Sequence, residues 1–164
     1  MITAPALPGA EIVSLKAAPV LNVTRTIPGA QRFTLPTVEV VDLNFCNVTA
    51  TYSHANADDV VSVEVWLPSK CHWNQRLYSA GGGGWAFGRA SLAYTGMTGA
   101  VADGFAASST DAGFPFNWSS VDASPLLTSP GNIDAHLVED VTTRSLGDMV
   151  SFSHVAAARH SNRF

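Results

Sequence analysis

Four consecutive glycines, at positions 81–84, follow a short segment, 76–80, that is predicted to form a β-strand. Glycine leaves backbone N–H groups unshielded and permits positive φ angles, so such a run can bind a phosphate or stabilise an oxyanion. The run lacks the Lys-Ser or Lys-Thr pair of a P-loop and the third glycine of a dinucleotide-binding turn. The pattern therefore favours an oxyanion-binding loop, with a tight turn against Trp85 as the alternative. The candidate residues are Gly82, Gly83 and Gly84.

Oxyanion chemistry in acyl transfer also needs a nucleophile, a base and an acid that orients the base. The sequence contains no Gly-x-Ser-x-Gly elbow. Ser91 lies on a predicted helix without flanking glycines, and Ser108 and Ser109 lie within a predicted strand. The residues of this chain therefore predict an oxyanion element without a catalytic triad.

Asp111 directly follows a predicted buried strand, at the position where α/β proteins place binding groups. We interpret it as a structural acid that hydrogen-bonds loop amides. No histidine pair has metal-binding spacing, so ordinary surface histidines and no metal site are predicted. The five histidines are His54, His72, His136, His154 and His160.

The apolar pattern predicts an α/β sheet. Segments 47–52 and 61–67 alternate and are joined by a polar turn, which predicts an antiparallel hairpin with a half-buried second strand. After the glycines, the sequence predicts a helix over 91–103, a buried parallel strand over 105–110 and a long helix over 133–150. This order of hairpin, strand, glycine loop, helix, strand and helix is typical of an α/β sheet.

The long helix is predicted from an apolar stripe at every fourth residue, with Asn132 or Ser129 as its cap. The stripe consists of Ile133, Leu137 and Val141. The opposite, solvent-facing side is predicted to carry Glu139, Asp140, Thr143 and Arg144.

The chain divides into three predicted parts. Residues 1–37 carry five prolines and predict an extended lead-in with two short strands, near 11–15 and 19–23. Residues 38–149 form a partial α/β domain. Residues 150–164 form a divergent tail, because the helical stripe weakens after Met149.

Composition excludes several classes of protein. The 164 residues are 46% hydrophobic and 13% charged, with a formal net charge of −4. This is too apolar for an acidic disordered chain, and an acidic net charge with two lysines argues against a nucleic-acid partner. No apolar run is long enough to span a membrane. Cys46 and Cys71 could form one disulfide or remain thiols.

Three glycosylation sequons favour a secreted protein, although chance also produces such triplets. Their acceptors are Asn22, Asn47 and Asn117. The N-terminal residues have neither the basic start nor the apolar core of a signal peptide, so none is predicted in this chain.

Six segments of the chain occur in the order of a known family. They are FCNV (45–48), VEVWLP (63–68), WNQR (73–76), GGGW (82–85), STDAG (109–113) and RSLGDM (144–149). Together with LPGAEI (7–12), they resemble the tannase and feruloyl esterase family of fungal secreted α/β-hydrolases, which cleave gallate or hydroxycinnamate esters. Two positions depart from the family pattern: Phe114 stands where a histidine is usual, and Gln75 where a glycine is usual.

The resemblance implies the N-terminal part of an α/β-hydrolase sheet, truncated before the nucleophile strand. It implies a role for the glycine run as the active-site wall beside the oxyanion hole. The family nucleophile lies in a Cys-Ser-x-Gly-Gly-Arg elbow, which together with the catalytic Asp and His and any calcium site would lie outside this chain. The implied partner is a small phenolic ester, and no cofactor is implied within this chain.

We therefore expect a piece of a carboxylic ester hydrolase that acts by serine acyl transfer and is inactive alone. The family similarity is expected to end at Met149. The alternative is a non-catalytic secreted binding module for a sugar or phenolic ligand. Its aromatic platform would be Trp66, Trp73, Trp85 and Trp118.

Overall fold

A five-stranded mixed sheet forms the centre of the molecule. The computed structural model describes residues 6–32, 35–115 and 122–161. The strands are β1 (Ala10–Ile27), β2 (Val38–His54), β3 (Val61–Pro68), β4 (Leu77–Ser79) and β5 (Ala106–Thr110). Their order is β1-β2-β3-β5-β4, with only the β4–β5 pair parallel. The predicted α/β class and the hairpin formed by β2 and β3 are confirmed.

Helices cover both faces of the sheet. Helix α1 (Ser91–Ala102) packs on one face, and a continuous helix packs on the other. That second helix comprises α2 (Ala135–Glu139), a π-helix (Asp140–Arg144) and α3 (Ser145–Ser161), preceded by a small hairpin of β6 (Leu127–Ser129) and β7 (Asn132–Ile133). Single 3-10 turns lie at Gly29–Gln31 and Ser124–Leu126. Among the described residues, no helix has the length and apolar character needed to cross a bilayer.

The proline-rich lead-in forms one long strand rather than two short ones. β1 pairs with β2 in antiparallel fashion from Ala10 to Ile27, with register shifts after Ile12 and on either side of Val23. Pro19 lies opposite Cys46 within this ladder. An edge strand tolerates proline because one side of its backbone needs no sheet partner. The prolines therefore do not interrupt the strand, and residues 10–27 belong to the sheet.

β3 is buried on both faces, not on one as its alternation predicted. Val61, Val63 and Val65 face the long helix and are fully buried. Glu64 and Trp66 face α1 and are also buried. The sequence pattern missed this because a charged residue at alternate positions is typical of a solvent-facing side, whereas here Glu64 is covered by α1.

The long helix begins and faces the sheet differently from the prediction. It begins at Ala135, where Asp134 caps it by accepting a hydrogen bond from the N–H of Leu137 (3.0 Å). Ile133 lies in β7 and is 65% exposed, whereas Asp140, predicted to face solvent, is fully buried. Ile133 is exposed because it belongs to β7, and the π-helix that starts at Asp140 rotates the residues after it away from a regular helical stripe.

The helix also continues past the predicted end of its pattern at Val150. α3 extends to Ser161, and Phe152, Ala156 and Ala157 are buried in the same cluster as Met149 and the valines of β3. The predicted loss of helical character after Met149 is therefore wrong for residues 150–161. The buried residues near the end of α3 are mostly alanines, which are too small to mark an apolar helical stripe in the sequence.

Phe152 offers a test of this packing. Phe152→Ala removes a fully buried ring and should lower the free energy of unfolding by about 3–5 kcal/mol, measured by denaturant titration. Val150→Ala, at a position 43% exposed on the same helix, serves as the control and should change it by less than about 0.5 kcal/mol. Equal effects of the two substitutions would show that α3 does not dock on the sheet.

Candidate functional site

The glycine loop, residues 80–89, connects the end of β4 to α1 at the carboxyl edge of the parallel β4–β5 pair. Its first residue stays in the sheet, because the N–H of Ala80 donates to the carbonyl of Ser108 at 2.7 Å. Its return segment lies against the end of β5, where a Cβ on Gly88 would come within 2.2 Å of the Thr110 carbonyl oxygen. Only glycine fits at that position, so the loop is held close to the strand end.

The hydroxyl of Ser109 joins the two ends of the glycine loop. It donates to the carbonyl of Ala80 at 2.8 Å and accepts from the N–H of Arg89 at 3.0 Å. Ser109 is completely buried on β5. The hydroxyl thus both donates and accepts a hydrogen bond. Ser109 is therefore a structural clamp and not an available nucleophile. Ser91, the other serine considered, is exposed on the first turn of α1.

Two backbone donors of the loop have no acceptor among the described residues. Gly83 and Ala86 exchange two backbone hydrogen bonds, of 2.9 and 3.1 Å, so the N–H of Gly83 is engaged within the turn. The N–H groups of Gly82 and Gly84 have no acceptor within the described residues. A Cβ on Gly82 would lie 1.5 Å from the carbonyl oxygen of Ala86, and Gly84 has a φ of +58°. Glycine is therefore required at position 82 and favoured at position 84, and both residues lie in an exposed loop that can bind an anion.

Two aromatic rings of the glycine loop, those of Trp85 and Phe87, lie together with the ring of Phe114. Trp85 stacks on Phe114 at 6.2 Å, and Phe87 meets Phe114 edge-on at 5.0 Å. Phe114 is buried, whereas Trp85 and Phe87 are half-buried. The cluster offers an apolar surface next to free N–H donors, an arrangement that suits a ligand with a planar ring and a carbonyl group.

The three tryptophans within the described residues do not form the predicted platform. Trp66 is a core residue, stacked between Phe45 at 4.6 Å and Tyr94 at 5.6 Å. The indole N–H of Trp73 donates to the carbonyl of Arg76 in the loop before β4. Trp118 lies outside the described residues. The binding-module alternative loses its structural basis because Trp66 faces the protein interior.

Asp111 links the strand end to its surroundings. Its Oδ1 accepts from the N–H groups of Ser62 (2.8 Å) and Gly113 (3.0 Å), and its Oδ2 accepts from the Arg89 guanidinium at 3.1 Å. The carboxyl group is 30% exposed. These contacts are those of an acid that orders loop amides, and they also hold Arg89 in place.

Arg89 connects Asp111 to a second, buried carboxylate, that of Glu64. Glu64 is 5% exposed, and its oxygens accept from four donors: the side chains of Asn47, Trp66, Tyr94 and Arg89. Burial acts to lower the pKa of Arg89, but Asp111 and Glu64 outweigh it and raise that pKa. The guanidinium is therefore charged and fixed under the loop. Sequence reasoning did not find Glu64, since a lone acid in an alternating strand gives no local sign of burial.

The sequons differ in accessibility. Asn22 is exposed, whereas the Asn47 amide nitrogen donates to Glu64 at 2.6 Å and is half-buried. Asn117 lies outside the described residues. The fold therefore favours Asn22 over Asn47 as a glycan acceptor. Cys46 and Cys71 are both free thiols, so the two do not pair.

His54 was predicted to be a surface residue, but the structure buries it. It is 6% exposed at the end of β2, and the carboxyl groups of Asp59, Asp140 and Asp148 surround its ring. Burial raises the pKa of Asp140 to about 6, reinforced by the neighbouring Asp59. Burial acts to lower the pKa of His54, but the hydrogen bonds to Asp59 and Asp148 outweigh it and raise that pKa. Residues so far apart in sequence gave no motif.

Ser109 provides a direct test of the loop clamp. Ser109→Ala removes both hydrogen bonds and leaves the Ala80 carbonyl and the part-buried Arg89 N–H without their partner, so the free energy of unfolding should fall by about 1–3 kcal/mol. Ser91→Ala is the matched control and should have little effect, because the Ser91 side chain is exposed. Denaturant titration measures both values. Unchanged stability in Ser109→Ala would contradict the clamp.

Comparisons with known proteins agree with this architecture. The tannase and feruloyl esterase family model matches residues 46–163, past the boundary expected at Met149. A probable feruloyl esterase of Arthroderma benhamiae is 36% identical over 148 residues, which cover 90% of this chain and 26% of that protein. A tannase of Aspergillus oryzae is 34% identical over 71 residues, 43% of this chain and 11% of that protein.

A solved structure shows the same fold. Tannin acyl hydrolase from Aspergillus niger superimposes with a TM-score of 0.74 at 26% identity, over 94% of this chain and 26% of that one. The chain thus spans about a quarter of the length of the feruloyl esterase and tannin acyl hydrolase that it matches. The extent of the family match shows that this chain belongs to the tannase and feruloyl esterase family.

Proposed function

We propose that this chain supplies the oxyanion-binding wall of a carboxylic ester hydrolase that works by serine acyl transfer on gallate or hydroxycinnamate esters. The observation that carries the proposal is the pair of N–H groups of Gly82 and Gly84, free of acceptors among the described residues. They lie in a loop fastened at the carboxyl edge of parallel strands, in a chain of this family.

The chemistry follows from the loop geometry. When a serine attacks an ester carbonyl, its oxygen becomes an anion, and fixed N–H donors stabilise that charge more than they stabilise the substrate. The clamp at Ser109 and the close approach of Gly88 fix the donors before reaction. Pre-organisation of this kind avoids reorganisation cost at the transition state. The serine, and the histidine and aspartate that activate it, belong to the proposal as parts of the whole enzyme.

The aromatic cluster supports a phenolic acyl group. Trp85 and Phe87 are half-buried beside the loop, at the place where a ring attached to the bound carbonyl could stack. Phe114 underlies both rings. Secretion belongs to the same proposal, and the exposed Asn22 sequon is compatible with it.

A chimera tests the role of the glycine loop. This chain would replace the matching segment of the Arthroderma benhamiae feruloyl esterase, and hydrolysis of methyl ferulate would be followed. Gly82→Ala should lower kcat/KM by roughly 100- to 1,000-fold, because the new Cβ collides with Ala86 and displaces the N–H donors.

Gly81→Ala is the matched control, because a Cβ there meets no atom within 4 Å. It should keep activity within a few-fold of the parent chimera. Circular dichroism of both variants checks that each is folded. A folded Gly82→Ala chimera with full activity would contradict the oxyanion role of the loop.

The chain by itself should not hydrolyse methyl gallate or methyl ferulate above a heat-treated control. The serine–histidine pair with the shortest contact in the described residues, Ser69 and His72 (2.5 Å), lies before β4, at the opposite end of that strand from the glycine loop. It cannot serve an oxyanion bound at Gly82. Turnover that disappears in Ser69→Ala would assign the chemistry to this pair and contradict the proposal.

A further inference from the structure

A buried group of ionisable side chains lies on the opposite face of the sheet from α1. Its members are His54 at the end of β2, Asp59 in the following connection, and Asp140 on the long helix. One ligand-type atom from each lies within 4.8 Å of the others. Nδ1 of His54 is 2.5 Å from Asp59 Oδ2 and 3.6 Å from Asp140 Oδ1. Three elements thus direct a nitrogen and two carboxylate oxygens at one point.

The other ring nitrogen of His54 is held as in a metal-ligating histidine. Its Nε2 lies 2.8 Å from Asp148 Oδ2. Histidine ligands in metal sites almost always donate their second N–H to a carboxylate or carbonyl, which fixes the tautomer and the ring orientation. Asp59 is likewise oriented, because its Oδ1 accepts the backbone N–H of His54 at 2.8 Å. Nδ1, which is hydrogen-bonded to Asp59 Oδ2, is therefore the ring nitrogen that faces Asp59 and Asp140.

Two buried oxygen atoms in this region, among the described residues, interact with neighbouring carboxyl groups but lack a hydrogen bond of ordinary geometry. Oδ2 of Asp140 and the hydroxyl of Tyr52 are buried and make no hydrogen bond within the described residues. Both residues are 0% exposed, and the rings of Tyr52 and His54 meet edge-on at 5.4 Å. A carboxylate oxygen that is wholly buried and unpaired is costly unless it binds a cation or a donor.

The side chains around His54 carry an excess of negative charge. Asp59, Asp140 and Asp148 bring three carboxylates, and Arg144, 3.4 Å from Asp140 Oδ1, brings one guanidinium that also pairs with Glu139. A divalent ion would displace the proton of Nδ1 to solvent, and the surplus carboxylates would balance the charge of the ion.

We propose that Nδ1 of His54 and the carboxylates of Asp59 and Asp140 bind a first-row divalent transition-metal ion of the Zn²⁺ type, with Asp148 orienting the imidazole. Mixed nitrogen and oxygen ligands suit Zn²⁺, whereas Ca²⁺ requires six to eight oxygens, which this group does not offer. Tetrahedral ligands of Zn²⁺ lie about 3.3 Å apart, given bonds of about 2.0 Å. The His54–Asp59 contact must therefore open by less than about 1 Å.

The site is structural in character. Its ligands are almost entirely enclosed, with side-chain exposures of 5% for His54, 8% for Asp59 and 0% for Asp140. The ion would join the end of β2 and the β2–β3 connection to the π-helix that begins at Asp140. This role is independent of the proposed ester hydrolysis and needs no triad.

Metal titration of the full chain tests the proposal. The chain is treated with EDTA, dialysed, and titrated with Zn²⁺ in a calorimeter and with Co²⁺ under visible spectroscopy. One ion should bind per chain, Co²⁺ should give ligand-field bands, and free Zn²⁺ at about 100 times its Kd should raise the Tm by roughly 5–10 °C. Absence of binding to the unmodified chain overturns the proposal without any variant.

Variants locate the site. His54→Gln and Asp140→Asn should lose binding, and Asp148→Asn should weaken it by about 10- to 100-fold. His136→Gln and Asp58→Asn, both at exposed positions, are matched controls that should bind as the parent does. Cys71→Ser removes an exposed thiol 3.4 Å from His72 and should also leave binding intact. Binding that survives in His54→Gln, or disappears in Cys71→Ser, overturns the proposal.

Discussion

One buried hydroxyl, that of Ser109, determines whether the glycine loop has a fixed shape. Four glycines in succession have more backbone freedom than any other sequence of that length, so the loop cannot order itself. Ser109 removes that freedom at both ends by bonding Ala80 and Arg89. The close contact of Gly88 with Thr110 removes what remains. The free N–H groups of Gly82 and Gly84 are therefore held by β5 and not by the loop itself.

The same strand arrangement explains why charged groups are buried beneath the loop. β3 lies between α1 and the long helix, which cover its two faces, and Glu64 is therefore shielded from solvent. A buried carboxylate is stable only when it is paired and fully hydrogen-bonded. Arg89 supplies the charge, with a positive φ of 48°, and it reaches Asp111 as well. Neutralising Glu64 thus also anchors the return of the loop.

The local sequence pattern predicted those elements that depend on residues close together in the sequence. Val61, Val63 and Val65 alternate, and the glycine run follows a strand, so the sheet class and the loop position could be read directly. Burial of Glu64 could not, because it depends on α1, which comes some thirty residues later. The same holds for His54, whose partner Asp148 is 94 residues away. A single sequence gives no sign of such pairs.

The start and the buried face of the long helix were predicted wrongly for a different reason. Its stripe of Ile133, Leu137 and Val141 assumed a constant turn, but the π-helix between Asp140 and Arg144 changes the turn within the helix. In a regular α-helix, residues eight apart point about 80° away from one another. The wider turn reduces that angle, so Asp140 and Asp148 both reach His54. The buried Ser145 hydroxyl supports the π-turn by donating to the Asp140 carbonyl at 2.7 Å.

The His54 group and the Asp111–Arg89 pair lie at the same end of the sheet. The start of β3 connects them. Val61 pairs with Tyr52, two residues before His54, while Ser62 exchanges hydrogen bonds with Asp111 through its N–H and its carbonyl. The β2–β3 connection that carries Asp59 leads directly into these residues. The start of β3 therefore links the His54 group to Asp111. Asp111 in turn binds Arg89 at the end of the glycine loop. The geometry of the loop thus depends on contacts from both faces of the sheet.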